Sequence, residues 1–354
     1  MNSNREKKIA QSFVLDVSRV EAGDIILTSE HTPQSKGIRI TTSSDYSHAM
    51  ICVGHSSCIH AVGKGVEAAN LQRQGFDRAD RVCVMRYKGG DRIAVVKRAT
   101  EFARRFVGMD YSVPDALATR LRILRRKMSN RQFCSRLVAQ AYAHAGVSLV
   151  SDPDFCLPED LFNSSHLEVV PLCVRETTDI DRFLIGGKEE GPLFDQAKML
   201  NAHFKEVREI TGLDLQTRDQ IYEHLISDGS HDQALSQSLE RSGYLKLWQV
   251  DVEKNPWRYD AARLLSMGGG FEDTRKVAER ESDLASDAIE RYARNVGAIS
   301  QVLQSVDRKY FRLEHKLYSH LVVLHSKRLQ AAKAVLAYLD ADILATDPNA
   351  RPET

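Results

Sequence analysis

The segment YSHAMICVGHSSCIHAV, residues 46–62, decides the fold expected of this chain. Ser47–Gly54 is a nearly continuous apolar run typical of a buried strand, and Cys58–Val62 is a second run of the same kind. The short interval between the two runs reads as a turn, so together they predict a β-hairpin. On the adjacent strands of such a hairpin, His48 and His60 would lie close enough for one imidazole to orient the other.

Further strand signals surround the hairpin, and helical periodicity follows them. Strands are predicted at Gly23–Ser29, Gly65–Ala69, Arg81–Tyr87 and Leu167–Pro171. Helices are predicted at Ile93–Phe106 and from about Gln132 to Ala145. The first 20 residues predict a short amphipathic helix, and residues 30–45 a loop. Strands followed by helices indicate an α+β domain, residues 1–190, built from an antiparallel sheet packed on helices.

The remainder of the chain, residues 191–354, has a different character. Strand signals become rare, and Glu272–Leu339 carries long stretches of helical pattern. No clean heptad persists over four repeats, so the pattern predicts a helical bundle or a long helical hairpin rather than a coiled coil. The glycine cluster at residues 267–270 lacks the spacing of a phosphate-binding loop and is interpreted as a turn.

Composition limits the classes of function. The chain has 354 residues and a formal net charge of +1, so it is long enough for two domains and has no charge bias toward nucleic acid. Six scattered cysteines form no CxxC pair, which predicts neither a metal site nor a disulfide framework, and no cofactor is expected. Neither a signal-peptide core nor a transmembrane segment is recognisable, so a cytoplasmic location is expected, with export by a dedicated system left open.

Cys134 lies at the start of the helical segment FCSRLVAQAYAHAG, residues 133–146. In or near the first turn of a helix, free backbone N–H groups and the positive end of the macrodipole stabilise a thiolate. The same position also suits a buried structural cysteine, so position alone leaves both interpretations open. His144 is ten positions further along the same helix, about 15 Å away, and is too distant to form a dyad with Cys134.

Five short motifs together resemble a known family. They are Gly23-Asp24-Ile25, Ser47-His48, His60, Cys134-Ser135 with Leu137-Val138, and Pro158-Glu159-Asp160-Leu161. Their order resembles the circularly permuted branch of the NlpC superfamily of papain-like cysteine hydrolases, which includes YiiX/YebB-like and lecithin:retinol acyltransferase-like proteins. The histidine precedes the cysteine here, as in that branch, and the resemblance covers residues 20–175.

The resemblance implies a permuted papain-like domain with Cys134 as the nucleophile and His48 as its base. The third catalytic residue would be His60, with Glu67 as a competitor because a carboxylate can also hold an imidazolium. Arg136 departs from the family, in which an acidic residue is frequent after Cys-Ser, and this departure leaves the substrate preference open.

The implied chemistry is hydrolysis of an amide, ester or thioester through an acyl-enzyme on Cys134. The N–H of Cys134 would be one oxyanion donor, and Tyr46 or Tyr111 could supply a second through its hydroxyl. Two alternatives remain: an acyltransferase acting on lipid or acyl donors, and a non-catalytic binding module whose helical half binds a partner. Peptide-like and acyl-lipid substrates, and a protein partner of the helical half, are the partners considered.

Overall fold

A computed structural model describes residues 11–29, 46–62, 65–109, 130–186, 192–267 and 270–346. The chain divides into two compact units, one formed by residues 1–208 and 213–219 and the other by residues 209–212 and 220–354. Each unit is described by itself below. The first break between the units falls inside the helix Pro192–Thr211, after residue 208. The sequence placed a domain boundary at residue 190, and that domain assignment stays a prediction.

The N-terminal unit combines short strands with helices. Its described strands are β1 (Phe13–Leu15), β2 (Ile25–Thr28), β3 (His48–Gly54), β4 (Ser57–Val62), β5 (Gly65–Asn70), β6 (Gly75–Phe76), β7 (Val82–Tyr87), β8 (Leu167–Val169) and β9 (Val174–Glu176). Its described helices are α1 (Arg92–Arg105), α2 (Asn130–His144), α3 (Pro158–Phe162), α4 (Asp179–Gly186) and α5 (Pro192–Thr211). The predicted α+β class is confirmed, and each predicted strand and helix after residue 20 corresponds to one of these elements.

One expectation was wrong. The first 20 residues predicted an amphipathic helix, but within the described part of that stretch Phe13–Leu15 is strand β1. β1 pairs with both β6 and β9 in an antiparallel three-stranded sheet. The three residues of β1 are consecutively apolar, and so short a run shows neither the two-residue period of a strand nor the period of a helix. The expected loop at residues 30–45 lies outside the described residues.

The larger sheet carries the predicted hairpin at its centre. Six strands pair antiparallel in the order β5-β4-β3-β2-β7-β8. The β3–β4 hairpin is confirmed, with Cys52 opposite Cys58 and Met50 opposite His60. His55 and Ser56 in its turn both have positive φ, 52° and 62°, the backbone that a two-residue hairpin loop of the primed type needs.

The two faces of this sheet are both covered, which explains why its strands are continuously apolar rather than alternating. Side chains alternate between faces along each strand, so neighbouring residues enter different cores. Leu27, Ala49 and Ile51 belong to the core that also contains residues of α1 and α2. Ile26 and Met50 belong to a second core that also contains Leu15 of β1 and Cys173.

The Gly23-Asp24 turn fixes the start of β2. Gly23 has φ +85°, and a Cβ there would lie 2.5 Å from Val96 of α1, so a larger residue would be strained and crowded. Asp24 is buried and accepts two bonds from Arg86, at 2.8 and 2.7 Å, and one from the N–H of Glu21 at 2.8 Å. This aspartate therefore ties the turn before β2 to β7.

Every described secondary-structure element of the C-terminal unit is a helix. It contains α6 (Arg218–Ser227), α7 (Asp232–Arg241), α8 (Trp248–Lys254), α9 (Ala261–Leu265), α10 (Phe271–Ser305) and α11 (Lys309–Thr346). The two longest helices form the expected hairpin, because Ser300 bonds to His315 near the turn at 2.9 Å and Glu281 pairs with Arg328 further along at 2.5 Å. In the described parts of the chain, every helix is too short or too polar to cross a bilayer.

Candidate active site

His48, His60 and Glu67 form a continuous polar chain across β3, β4 and β5. His48 Nε2 lies 2.8 Å from His60 Nδ1, within hydrogen-bond distance. His60 Nε2 in turn lies 3.3 Å from Glu67 Oε1. His60 is directly opposite Glu67 in the β4–β5 register, and residues in register share one face of a sheet. Pairing of the strands thus aligns three titratable side chains in a row.

Cys134 approaches the same region from helix α2. The backbone N–H of Ala49 donates a hydrogen bond to Cys134 Sγ at 3.4 Å. The β3–β4 register runs as far as Met50 opposite His60, and Ala49 is the next residue toward the start of β3. Since Ala49 follows His48 in the chain, the thiol lies within one peptide unit of the His48 backbone. The structure therefore brings together residues 48 and 134, which are 86 positions apart in sequence.

Packing on both sides of α2 holds the cysteine in place. The Tyr142 hydroxyl donates to the Gly23 carbonyl at 2.6 Å, which joins the last turn of α2 to the turn before β2. The Ser135 hydroxyl donates to the Cys156 carbonyl at 2.6 Å. Cys134, Ser135 and Tyr142 are all fully buried. Because neutral buried hydrogen bonds contribute about 1 kcal/mol each, these contacts position α2 rather than account for its stability.

Burial also sets the protonation state of the histidine nearest the thiol. Desolvation lowers the pKa of His48 to about 3, and the neighbouring His60 acts in the same direction. His48 is therefore a neutral imidazole at physiological pH. A neutral imidazole can accept a proton, whereas an imidazolium cannot.

The position of Cys134 within its helix differs from the sequence expectation. Helix α2 begins at Asn130, so Cys134 is its fifth residue rather than part of its first turn. At that position the helix directs the N–H of Cys134 to the carbonyl four residues earlier, and the macrodipole effect has largely decayed. The N–H that the thiol receives comes instead from Ala49. Nearly every residue has a backbone N–H, so nothing in the sequence indicates that the N–H of Ala49 donates to this thiol.

Tyr46 and Tyr111, the two candidates for a second oxyanion donor, have different outcomes. The Tyr46 ring packs against Phe162 of α3, with centroids 5.3 Å apart. Burial raises the pKa of the Cys83 thiol, and the interaction of that thiol with Tyr46 opposes the rise. Tyr46 therefore has a packing role and a thiol partner. Tyr111 lies outside the described residues.

Arg136, the departure from the family pattern, pairs with Asp154 at 3.2 Å. Its side chain is about one-third exposed, and the aspartate is more exposed still, so this ion pair is a weak surface contact.

The other cysteines have the environment of core residues. Burial raises the pKa of the Cys52 thiol to about 11 and that of Cys156 to about 12, and it raises the pKa of Cys58 further still. Thiols with such values stay protonated at neutral pH and are poor nucleophiles. Cys52 is completely buried, as expected of a core residue.

Residues 19–170 match the family model described as "Permuted papain-like amidase enzyme, YaeF/YiiX, C92 family". That span contains His48, His60, Glu67 and Cys134. With the antiparallel sheet packed on α1 and α2, the match shows that the N-terminal half of the chain is a circularly permuted papain-like domain. It supports a papain-like hydrolase of the amidase kind in general.

Two individual proteins are similar to this chain over part of its length. The uncharacterized protein YiiX of Escherichia coli (strain K12) is 26% identical over 128 residues, which are 35% of this chain and 58% of that protein. The chain therefore spans less than two thirds of that relative. The crystal structure of metalloprotein yiiX from Escherichia coli O157:H7 aligns with a TM-score of 0.33 and 22% identity, covering 43% of this chain and 97% of that one.

Proposed function

We propose that the N-terminal unit is a cysteine hydrolase that cleaves an amide, ester or thioester through an acyl-enzyme on Cys134. One observation carries the proposal. Cys134 Sγ contacts the backbone N–H of Ala49, and Ala49 directly follows His48, the first member of the His48–His60–Glu67 chain. The neutral His48 imidazole is aligned with two further polar groups. With that imidazole turned to the thiol, these residues supply the nucleophile, base and orienting groups of an activated cysteine.

The order of the polar groups along the chain assigns a tautomer to each histidine. His60 Nε2 lies 3.3 Å from Glu67 Oε1, an ion-pair distance without hydrogen-bond alignment, and placing the His60 proton on Nε2, toward the carboxylate, leaves His60 Nδ1 as an acceptor. That acceptor takes the Nε2–H of His48. His48 Nδ1 is then the nitrogen with a free lone pair, and it lies on the part of the ring nearest the backbone. In this scheme Glu67 and His60 act in series, so the sequence alternatives for the third residue become two members of one chain.

The reaction then follows in two stages. His48 Nδ1 removes the proton from Cys134 as Sγ attacks the carbonyl carbon, and the N–H of Ala49 supports the developing thiolate. The tetrahedral intermediate expels the amine, alcohol or thiol, which takes the proton from His48, and a thioester remains on Cys134. A water molecule deprotonated by His48 attacks that thioester, releasing the acid and restoring the thiol.

The test is acylation of the full chain by small activated acyl donors. We expect p-nitrophenyl acetate to give a burst of about one equivalent of p-nitrophenolate, with one acetyl group on the peptide containing Cys134 by mass spectrometry. The Cys134→Ala variant should show no burst, and His48→Ala should acylate far more slowly. Matched controls are Cys156→Ala, which removes another buried thiol, and His166→Ala, which removes an exposed imidazole of the same unit.

Two results would contradict the proposal: an acyl group retained in Cys134→Ala, or no acylation of the folded protein by ester, thioester and amide donors alike. The second result would favour the binding-module alternative. A long-lived acyl-enzyme that is discharged by an added amine or alcohol, but not by water, would identify an acyltransferase. Turnover in water alone identifies the hydrolase.

A further inference from the structure

A compact group of two histidines and an aspartate lies at the junction of α6 and α7 in the C-terminal unit. His224 is in the last turn of α6, Asp228 follows that helix, and His231 immediately precedes α7. The N–H of Asp228 bonds to the His224 carbonyl at 2.7 Å, so the helical turn continues as far as the aspartate. One nitrogen or oxygen from each of the three side chains lies within 4.8 Å of the others.

The separation of the two imidazoles suits a shared ion. His224 Nε2 lies 3.0 Å from His231 Nδ1. Two nitrogens bound to one tetrahedral Zn²⁺ at bond lengths of about 2.0–2.1 Å would be about 3.3 Å apart. Binding an ion therefore requires a movement of only a few tenths of an ångström. Two neutral imidazoles can also share one N–H at this distance, so the third side chain decides between the two interpretations.

Asp228 supplies a carboxylate that is already oriented. Its Oδ1 accepts the N–H of Ser230 at 2.9 Å, and its Oδ2 accepts the Ser230 hydroxyl at 2.9 Å. These two bonds hold the carboxylate in one orientation. Outer groups that hold a ligand in this way are a regular feature of metal sites in proteins.

The turn that carries the three side chains is held by α11. Asp232, at the start of α7, accepts the N–H groups of Lys309 and Tyr310 at 2.8 and 2.9 Å. Arg308 lies against Gly229, close to the proposed ligands. The anchored backbone reduces the reorganisation needed on binding, whereas the guanidinium charge opposes a cation. We therefore expect moderate affinity.

We propose that His224, Asp228 and His231 bind one divalent transition-metal ion, with Zn²⁺ as the simplest choice, through two imidazole nitrogens and one carboxylate oxygen. This mixed nitrogen and oxygen set favours zinc and its neighbours over Mg²⁺ and Ca²⁺, which prefer oxygen ligands alone. The bound ion would clamp the end of α6 to the start of α7. The sequence predicted no metal site because its cysteines form no CxxC pair. That argument does not apply to this site, whose ligands are two histidines and an aspartate.

The experiment uses the untagged, chelator-treated full chain carrying Cys134→Ala, so that the reactive thiol cannot compete for metal. Titration with Co²⁺, followed by visible absorption, and with Zn²⁺, followed by calorimetry, should give one ion per chain. We expect Asp228→Asn to weaken binding at least about tenfold and His231→Ala to abolish it. His166→Ala, which removes an exposed histidine of the other unit, should leave binding unchanged.

A second measurement separates loss of ligands from loss of fold. Zn²⁺ should raise the midpoint of thermal unfolding of the parent chain, because it binds the folded state, and should not raise that of a folded His231→Ala chain. Undiminished binding in His224→Ala and His231→Ala would overturn the proposal, as would a folded parent chain that binds no Zn²⁺. A cobalt spectrum with thiolate charge-transfer bands would also overturn it, because it would place the ion on a cysteine.

Discussion

Replacing Glu67 by Gln tests whether the third member of the polar chain acts on the thiol two imidazoles away. The substitution keeps the shape of the side chain and removes its charge. In the proposed mechanism a positive charge develops on the imidazole pair as Cys134 loses its proton, and the carboxylate stabilises that charge through His60. We therefore expect Glu67→Gln to slow acylation while the chain remains folded.

The size of the effect can be worked from the 3.3 Å between Glu67 Oε1 and His60 Nε2. Two unit charges at that distance attract by about 1.3 kcal/mol at the dielectric constant of water and about 5 kcal/mol at an effective value of 20, and these values are upper limits because His48, which takes the proton, lies one imidazole further from the carboxylate. The Glu67 side chain is 27% exposed, so solvent screening favours the lower end of this range. Since about 1.4 kcal/mol corresponds to tenfold in rate, the acylation rate should fall about ten- to a hundredfold.

The assay is kcat/KM for a chromogenic ester across pH, with burst kinetics for the acylation step. The acid limb of kcat/KM reports the base of the free enzyme. Because desolvation lowers the pKa of His48 to about 3, the wild-type limb should lie well below the value of about 6.5 for an ordinary imidazole. Removing the negative charge can only make His48 a weaker base. In Glu67→Gln the plateau should therefore fall while the limb stays in place or moves to lower pH.

Two comparisons make this result specific. Glu168→Gln removes an exposed carboxylate from β8 of the same sheet and should leave kcat/KM unchanged. Glu67→Asp keeps the charge at a greater distance and should recover part of the lost rate. A plateau within twofold of wild type in Glu67→Gln would refute the reasoning, and so would a limb that moves to higher pH.

Two further predictions concern stability. Tyr142→Phe removes the hydroxyl that bonds to the buried Gly23 carbonyl and should cost about 1–2 kcal/mol in the free energy of unfolding, measured by urea titration followed by circular dichroism. Arg328→Ala leaves Glu281 of the helical hairpin, 4% exposed, without its closest cation, and should destabilise the chain by about 3 kcal/mol in the same assay. Replacing both members of that pair by apolar residues of similar size should recover most of the loss, and a double variant as unstable as Arg328→Ala would contradict this account.

The hairpin could be predicted from sequence because its signals are local. Two apolar runs separated by a short turn allow few arrangements, and the 12-residue spacing of His48 and His60 then places them on neighbouring strands. The helix around Cys134 was equally visible in its periodicity. The local pattern of apolar and polar residues was therefore sufficient to predict the strands and the helix that carry the candidate site residues.

The remaining features depend on tertiary contacts. Three apolar residues at positions 13–15 carry too little periodicity to identify a strand whose partners, Gly75–Phe76 and Val174–Glu176, are far away in the chain. The contact of Ala49 with the thiol depends on where the β3–β4 register ends, and an alanine in an apolar run gives no sign of this. The metal ligands proposed at residues 224–231 are ordinary polar residues until the turn between two helices brings them together.

The geometry of the site also explains why the order of histidine and cysteine in the chain can be exchanged without loss of the chemistry. His48, His60 and Glu67 are aligned by pairing between neighbouring strands, so their spacing depends on the sheet and not on the position of the helix in the sequence. The proposed nucleophile, Cys134, contacts the start of β3 through the N–H of Ala49. Substitutions that shift α2, such as Tyr142→Phe, should therefore reduce thiol reactivity while they leave the imidazole chain intact. The order of the elements in the sequence can therefore vary as long as α2 still contacts the start of β3.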